Sequence, residues 1–420
     1  MRFPHLSLSL LLLGLCLLPA KAQTRESIDW DYEIRLLEKD LVKKHPNAYF
    51  YFDSLSFHRK MVEIIPKAYT QSIFSTAVML QQAVALLGDA HTMVNYHYLV
   101  EKQLMIPMTS YWFEEGLYIL ETEERYQELL GKKLHAINQH PIQEVIDSMA
   151  TLMVNENPSL LKNRLPDMLN WVQLLQHFGF ADTCALQLQV TDETGRMESI
   201  AIDFPVVREK SVFLEIPETP IGWEDQRSFF WKRYLGDEKL YYIQYNRCWS
   251  RESEKLFGSG ASALFMPSYR EFEKELIKEL KKKSIDKLVF DMRFNGGGNS
   301  LQGTRLIRKI SKINFRGEGK IYVLIGRKTF SSAIINTIDF MRMTPAILVG
   351  EETGGRPNHF GEVRRFVLPE SRLIVSHSTK YFREMEKEDP PSLKPKLQAP
   401  IFFREYLKGI DPALEVVRSL

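Results

Sequence analysis

Two adjacent serines, Ser331 and Ser332, stand between the apolar run Ile321-Tyr322-Val323-Leu324-Ile325 and a segment whose Ile334, Ile335, Ile338, Phe340 and Met341 suit a buried helix. A hydroxyl at such a junction lies among free helix N–H groups and at the positive end of the helix dipole. A second loop, Asn295-Gly296-Gly297-Gly298, follows the short apolar run Leu288-Val289-Phe290. Its glycines let the backbone come close to a partner and offer N–H donors to an oxyanion. Taken singly, Ser331 reads as an N-cap and the glycines as a turn. Their combination shifts the balance away from those plain readings. A base is not obvious from spacing: His91, in Asp89-Ala90-His91-Thr92, reads on its own as a capping or packing residue. The histidines are scattered and lack HExxH or paired Cys/His spacing, so no metal is expected. A dinucleotide reading of the glycines fails, because Leu301 stands where GxGxxG needs its last glycine.

The elements that must hold these residues are legible as a βαβ pattern. The run at 288–290, the run at 321–325, the helical segment from Ser331 and the run Ala346-Ile347-Leu348-Val349 predict parallel strands with a crossover helix, chemistry lying where strands hand over to loops. Leu240 to Tyr245 reads as another strand of that sheet. Ser268 reads as the cap of a helix through about Lys283, and Asp411-Pro412 as the start of a final helix. Phe366-Val367-Leu368 and Leu373-Ile374-Val375 suggest a hairpin. From Ser27 to about Gly88 the apolar spacing is helical. The middle region predicts strands at Gly116–Leu120 and Leu186–Val190, with a helical insertion from Glu156 to Phe180.

Three ordered motifs resemble the catalytic domain of the tail-specific serine proteases, peptidase family S41. They are Asp291-Met292-Arg293-Phe294-Asn295-Gly296-Gly297-Gly298, then Thr329-Phe330-Ser331-Ser332-Ala333, then Gly350-Glu351-Glu352-Thr353-Gly354-Gly355-Arg356. The resemblance covers roughly residues 241–420 and implies an α/β fold of the ClpP/crotonase kind. It places the nucleophile on Ser331, or on Ser332 after a one-residue slip, and the oxyanion donors on the N–H groups of Gly297 and Ser332. Two positions depart from the family: Ile334 stands for a glutamate, and Arg356 for a lysine that many members use as base. Arginine stays protonated and cannot be a base. The branch resembling tricorn proteases and retinoid-binding modules carries an Asp-x-His-Thr motif, and that likeness gives His91 the role of general base, ahead of His359 and His377. The acid that would orient it is expected among Glu352, Asp389 and Glu388, since Lys394 occupies the family's acidic region. Leu129 to Asn138 is similar to a PDZ-type sequence, with Gln139 in place of a glycine.

Residues 1–22 read as a secretory signal, with Arg2, an apolar stretch at 6–18 and Ala20-Lys21-Ala22 before the cut. The expected layout is then a helical region at 23–95, a PDZ-like or small α+β module at 96–210 and a catalytic domain at 211–420. A net charge of +2 over 420 residues argues against a nucleic-acid partner. No later stretch is long enough to insert in a membrane. Cys184 and Cys248 are left to pair or to stay as buried thiols. The whole implies an exported serine peptidase acting on proteins or peptides. The alternative is a non-catalytic ligand- or peptide-binding protein on the same scaffold.

Overall fold

The computed structural model describes residues 28–182, 185–204 and 209–420. The expected signal segment and Cys184 lie outside these residues, while Cys248 is a buried free thiol.

Three helices open the described chain: α1 (Trp30–Lys44), α2 (Ser54–Ala68) and α3 (Ile73–Ala85). Asp29, Asp53 and Ser72 cap them by accepting from Tyr32, Ser56 and Ser75 N–H groups, which satisfies donors that an uncapped first turn would leave bare. Each of the first two helices buries one stripe, Ile34, Leu37 and Leu41 on α1 and Phe57, Met61 and Ile64 on α2. Helix α3 is buried nearly all round, as its Phe74, Ala77, Val78, Leu80 and Val84 foretell. Beyond it Gly88 turns the chain at φ +79°, and a Cβ there would lie 2.7 Å from the Tyr51 ring. The chain then forms strand Met93–Asn95, which pairs antiparallel with Ile374–His377. That pairing decides where His91 goes: two residues upstream of the strand, it is carried to the C-terminal third of the protein.

The middle region is a seven-stranded antiparallel sheet whose main path runs Met108–Phe113, Gly116–Glu123, Lys133–Ile137, Ala185–Thr191, Met197–Asp203. Its inserted helices include α4 (Pro158–Met168), capped by Asn157. Leu117, Ile119, Leu134 and Leu188 pack into one core with α1–α3 and with Leu373 and Val375 of the C-terminal hairpin.

The second core wraps a six-stranded sheet of β1 (Phe230–Leu235), β2 (Leu240–Tyr245), β3 (Lys287–Asp291), β4 (Lys320–Ile325), β5 (Ile347–Gly350) and β6 (Leu397–Gln398). Its order is β6-β5-β4-β3-β2-β1, all parallel except the β1–β2 pair. Apolar runs without alternation are what a sheet covered on both faces requires. Helices α5 (Tyr269–Lys282), α6 (Ser300–Ile310) and α7 (Ser332–Met343) follow in chain order, with Leu276, Leu280, Leu306, Ile310 and Ile338 packed on one face. Leu414 and Val417 of the C-terminal helix Pro412–Arg418 cover the other. The expected βαβ unit is therefore present, with parallel pairing.

At the end of β3 the first motif has a structural task. Arg293 donates to Asp291 Oδ2 at 2.6 Å and to both oxygens of Asp411 at 2.8 Å, and all three side chains are buried. The Tyr242 hydroxyl also donates to Asp291 Oδ2 at 2.5 Å. This cluster ties the turn after β3 to the cap of the last helix. Removing one partner of a buried charge cluster strands the others. Arg293→Ala should therefore destabilise the fold by on the order of 3–5 kcal/mol, seen as a lower urea midpoint with an unchanged slope.

Candidate active site

Ser331 sits at the N-terminus of α7 in a conformation that side chains rarely adopt, φ +53° and ψ −124°. Such backbone costs of order 1–3 kcal/mol and persists only where the surroundings enforce it. The enforcing contacts are visible. Thr329 Oγ1 donates to the Met292 carbonyl at 2.9 Å and accepts the Gly326 N–H at 3.0 Å. The Phe330 N–H donates to the Asn295 carbonyl at 3.1 Å. These bonds zip the turn before α7 onto the glycine loop. The two serines then differ sharply. Ser332 is buried and its hydroxyl donates to the Gly298 carbonyl at 2.7 Å. The Ser331 hydroxyl is half-buried and makes no hydrogen bond among the described residues.

Gly297, at φ +103°, presses on this serine: a Cβ there would lie 2.8 Å from Ser331 Cβ and 3.1 Å from Ser332 N. Its own N–H is not idle, since it donates to Asn295 Oδ1 at 2.9 Å. This differs from the donor role expected of Gly297; the asparagine beside it closes an Asx-type turn and takes that proton. The N–H groups of Gly298 and Ser332 make no hydrogen bond among the described residues.

His91 arrives from the far end of the sequence. Its ring stacks on Phe330, the residue before Ser331, with centroids 4.7 Å apart, and on His359 at 5.7 Å. No hydrogen bond joins His91 to Ser331. Burial pushes the His91 imidazole down to about 4; the Asp89 carboxylate opposes that shift, while His359 and Arg164 add to it. His91 thus keeps its lone pair at neutral pH.

The acid beside it is Asp89, whose Oδ1 lies 3.8 Å from His91 Nδ1 and accepts the His91 backbone N–H at 2.9 Å. Asp89 also accepts from His45 Nε2 at 3.1 Å, Thr92 Oγ1 at 2.5 Å and Ser378 Oγ at 2.6 Å. The His45 tautomer follows from its other nitrogen, which accepts the Asn47 N–H at 3.1 Å. Burial alone would push the Asp89 carboxyl up, but the hydrogen bonds and the nearby His91 outweigh it and hold it at about 2.

The acids expected from the sequence lie elsewhere. Glu352 accepts from Ser392 Oγ at 2.6 Å and stands 3.4 Å from Lys394. Asp389 is 3.7 Å from Arg356, which donates to the Tyr51 hydroxyl oxygen at 2.7 Å. Neither acid hydrogen-bonds to His91: both are occupied by cations that the linear sequence did not assign to them. Asp89 was missed although it stands in the same four-residue motif as His91. Its buried position under the Met93–Asn95 pairing was not readable from that motif. Among the described residues no group of three or more His, Cys, Asp or Glu side chains is arranged to hold a metal ion.

Comparison with solved structures adds the fold. Mature CPAF complexed with lactacystin matches with a TM-score of 0.63 at 15% identity, over 93% of this chain and 96% of that one. Mature CPAF by itself gives 0.61 at 14% identity over the same shares. The chain has the CPAF fold. That fold agrees with the resemblance carried by the three motifs. No family model and no curated protein sequence matches the chain. Within this fold His91 stacks on Phe330, the residue before Ser331.

The His91 environment can be measured directly. Its ring proton resonance should titrate with a midpoint near 4. Asp89→Asn should move that midpoint lower still, because it removes the carboxylate that favours the charged form. A midpoint near the ordinary histidine value of about 6.5 would contradict the site geometry.

Proposed function

We propose that this protein is an exported serine peptidase of the S41 type, with Ser331 as nucleophile and His91 as general base. The observation that carries the reading is the Ser331 turn: a strained serine with an uncommitted hydroxyl at a helix N-terminus, against which a neutral imidazole is stacked one residue away. Backbone strain of this kind clusters at active sites and ligand clamps.

In this reading Ser331 Oγ attacks the scissile carbonyl carbon as its proton passes to His91. The imidazolium that forms is stabilised by Asp89, which remains ionised, and later returns its proton to the leaving amine. A base held down near 4 takes the proton weakly. The transition state therefore depends on Asp89 and on the oxyanion donors. The N–H of Ser332 is one donor, and the glycine loop supplies the other through Gly298 or through Gly297 if Asn295 lets it go. Losing one such donor costs roughly 10²–10³ in kcat. Water then releases the acyl group by the same route. The gap between His91 and Ser331 closes when substrate binds, as is common where catalytic hydrogen bonds tighten only in the complex. No cofactor takes part. The six-stranded sheet is the ClpP/crotonase-like part of the reading, and the seven-stranded module, with its PDZ-like run, presents an edge to which an extended peptide is added. Among the described residues no helix is long and apolar enough to cross a membrane.

A serine-reactive fluorophosphonate probe tests the assignment. Wild type and Ser332→Ala should label, Ser331→Ala should not, and His91→Ala should label at least about tenfold more slowly. Absence of labelling in wild type, with no cleavage of an unfolded protein, would contradict the peptidase reading and favour the binding-protein alternative. Gly297→Ala should strain the glycine loop and lose roughly 10²-fold in labelling rate, since its Cβ would displace Ser331. The acid limb of the labelling rate should fall near pH 4, because His91 acts only while neutral.

A further inference from the structure

His91 is held from a direction that the peptidase mechanism leaves unused. Phe330 stacks on His91 with centroids 4.7 Å apart and planes 29° apart. His91 stacks in turn on His359 at 5.7 Å and 20°, and His359 on Phe382 at 5.5 Å and 25°. This series of near-parallel rings runs from the residue before Ser331, through the imidazole, to the strand Lys380–Phe382. Each pair lies within the range at which aromatic side chains attract one another.

His359 is the fixed member of the series. It is buried, and its Nδ1 lies 3.1 Å from the Arg356 carbonyl and 3.0 Å from the Pro357 carbonyl. Carbonyls only accept, so Nδ1 carries the proton and Nε2 the lone pair. In strand His359–Gly361 it stands directly opposite Phe382, which supplies the ring behind it. The residue before it is pinned as well: Asn358 Nδ2 donates to the Met385 carbonyl at 2.9 Å, and Asn358 Oδ1 accepts the Met385 N–H at 2.8 Å. Burial pushes the His359 imidazole down, against the Pro357 and Arg356 carbonyls, Asp89 and Glu384, so it places no charge beside His91 at neutral pH.

The His91 ring has weaker ties of its own. Asp89 Oδ1 is 3.8 Å from its Nδ1, beyond a hydrogen bond, and the Phe360 carbonyl adds some support for its charged form. An imidazole without stacked neighbours turns about its χ angles, whereas a stacked one leaves its plane only by giving up contact. A displacement of about 1 Å at a reacting group can cost roughly 10²-fold in rate.

We infer that His359 is a positioning residue for the general base: its ring face holds the His91 imidazole in the plane from which it serves Ser331. The inference rests on the peptidase reading above. The histidine that stands in the sequence as a rival base thus acts through His91 rather than on substrate.

Two substitutions separate the ring face from the proton it donates. His359→Phe keeps the face and loses the Nδ1–H; His359→Asn keeps an N–H donor near the same place and loses the face. The readout is the second-order rate of fluorophosphonate labelling at Ser331. His359→Phe should label within about threefold of wild type, and His359→Asn roughly ten- to a hundredfold more slowly. In a His91→Ala background, His359→Asn should cost no more than about a further twofold, because its effect passes through the imidazole. A merely structural loss would persist in that background. The inference is overturned if His359→Asn labels like wild type, or if His359→Phe loses as much as His359→Asn, which would put the role in the Nδ1–H. It is also overturned if the loss persists when His91 is alanine. Should neither variant show a cooperative unfolding transition, Phe382→Leu takes their place, since it withdraws the backing ring and leaves His359 present. A loss of about threefold or more that vanishes in the His91→Ala background is then expected, and an unchanged rate overturns the inference. Wild type that never labels is a different failure, that of the peptidase reading itself.

Discussion

One buried carboxylate holds the site together. Asp89 gathers four donors, from His45, Thr92, Ser378 and the His91 backbone. They come from the loop after α1, from the turn after α3 and from the segment after strand Ile374–His377, so a single ionised side chain closes regions almost three hundred positions apart. Charge-assisted hydrogen bonds of this kind are roughly twice as strong as neutral ones, and in a buried setting any unpaired member is expensive. The Asp89 carboxyl is held at about 2, below its ordinary value, so its contribution is present at neutral pH and is lost as the pH falls toward that value. Without this clasp the Met93–Asn95 pairing alone would have to fix His91, and three residues of strand are a weak anchor.

The other half of the site depends on strain rather than on charge. Ser331 adopts its backbone conformation because the turns on either side are fixed by Thr329, Asn295 and the close approach of Gly297. Glycine is required at position 297 for two reasons that act together: its φ of +103° and the absence of room for a Cβ. Asn295 works in both directions, its carbonyl accepting Phe330 N–H and its side chain holding the Gly297 N–H. The glycine loop and the α7 turn are thus one unit, mounted on β3 and β4 of a rigid parallel sheet.

Much of this was readable in the chain because local rules and global fold agree there. Unbroken apolar runs gave the parallel strands, Ser268 and Asp411 gave helix starts, and the glycines after Phe290 gave a loop of close approach. The choice between Ser331 and Ser332 was open in the sequence, since both stand at the helix start. The proposal of Ser331 rests on its backbone strain and on the Ser332 to Gly298 hydrogen bond, and neither feature has a local signature. The orienting acid was sought after the serine, at Glu352 and Asp389, whereas the carboxylate beside His91 is two residues before it. What hid Asp89 is that a polar residue next to a turn reads as a cap, and only long-range pairing shows that it is buried.

The central claim is that a serine from the last third of the chain and a histidine from its first quarter act as one unit. A double-mutant cycle measures that most directly, using the second-order rate of peptide cleavage for wild type, Ser331→Ala, His91→Ala and the double variant. Groups that operate together are strongly non-additive, so the double variant should be no slower than the slower single variant, within about threefold. Losses that multiply, with the double variant slower by the product of the two single effects, would show that Ser331 and His91 act independently and would contradict the account.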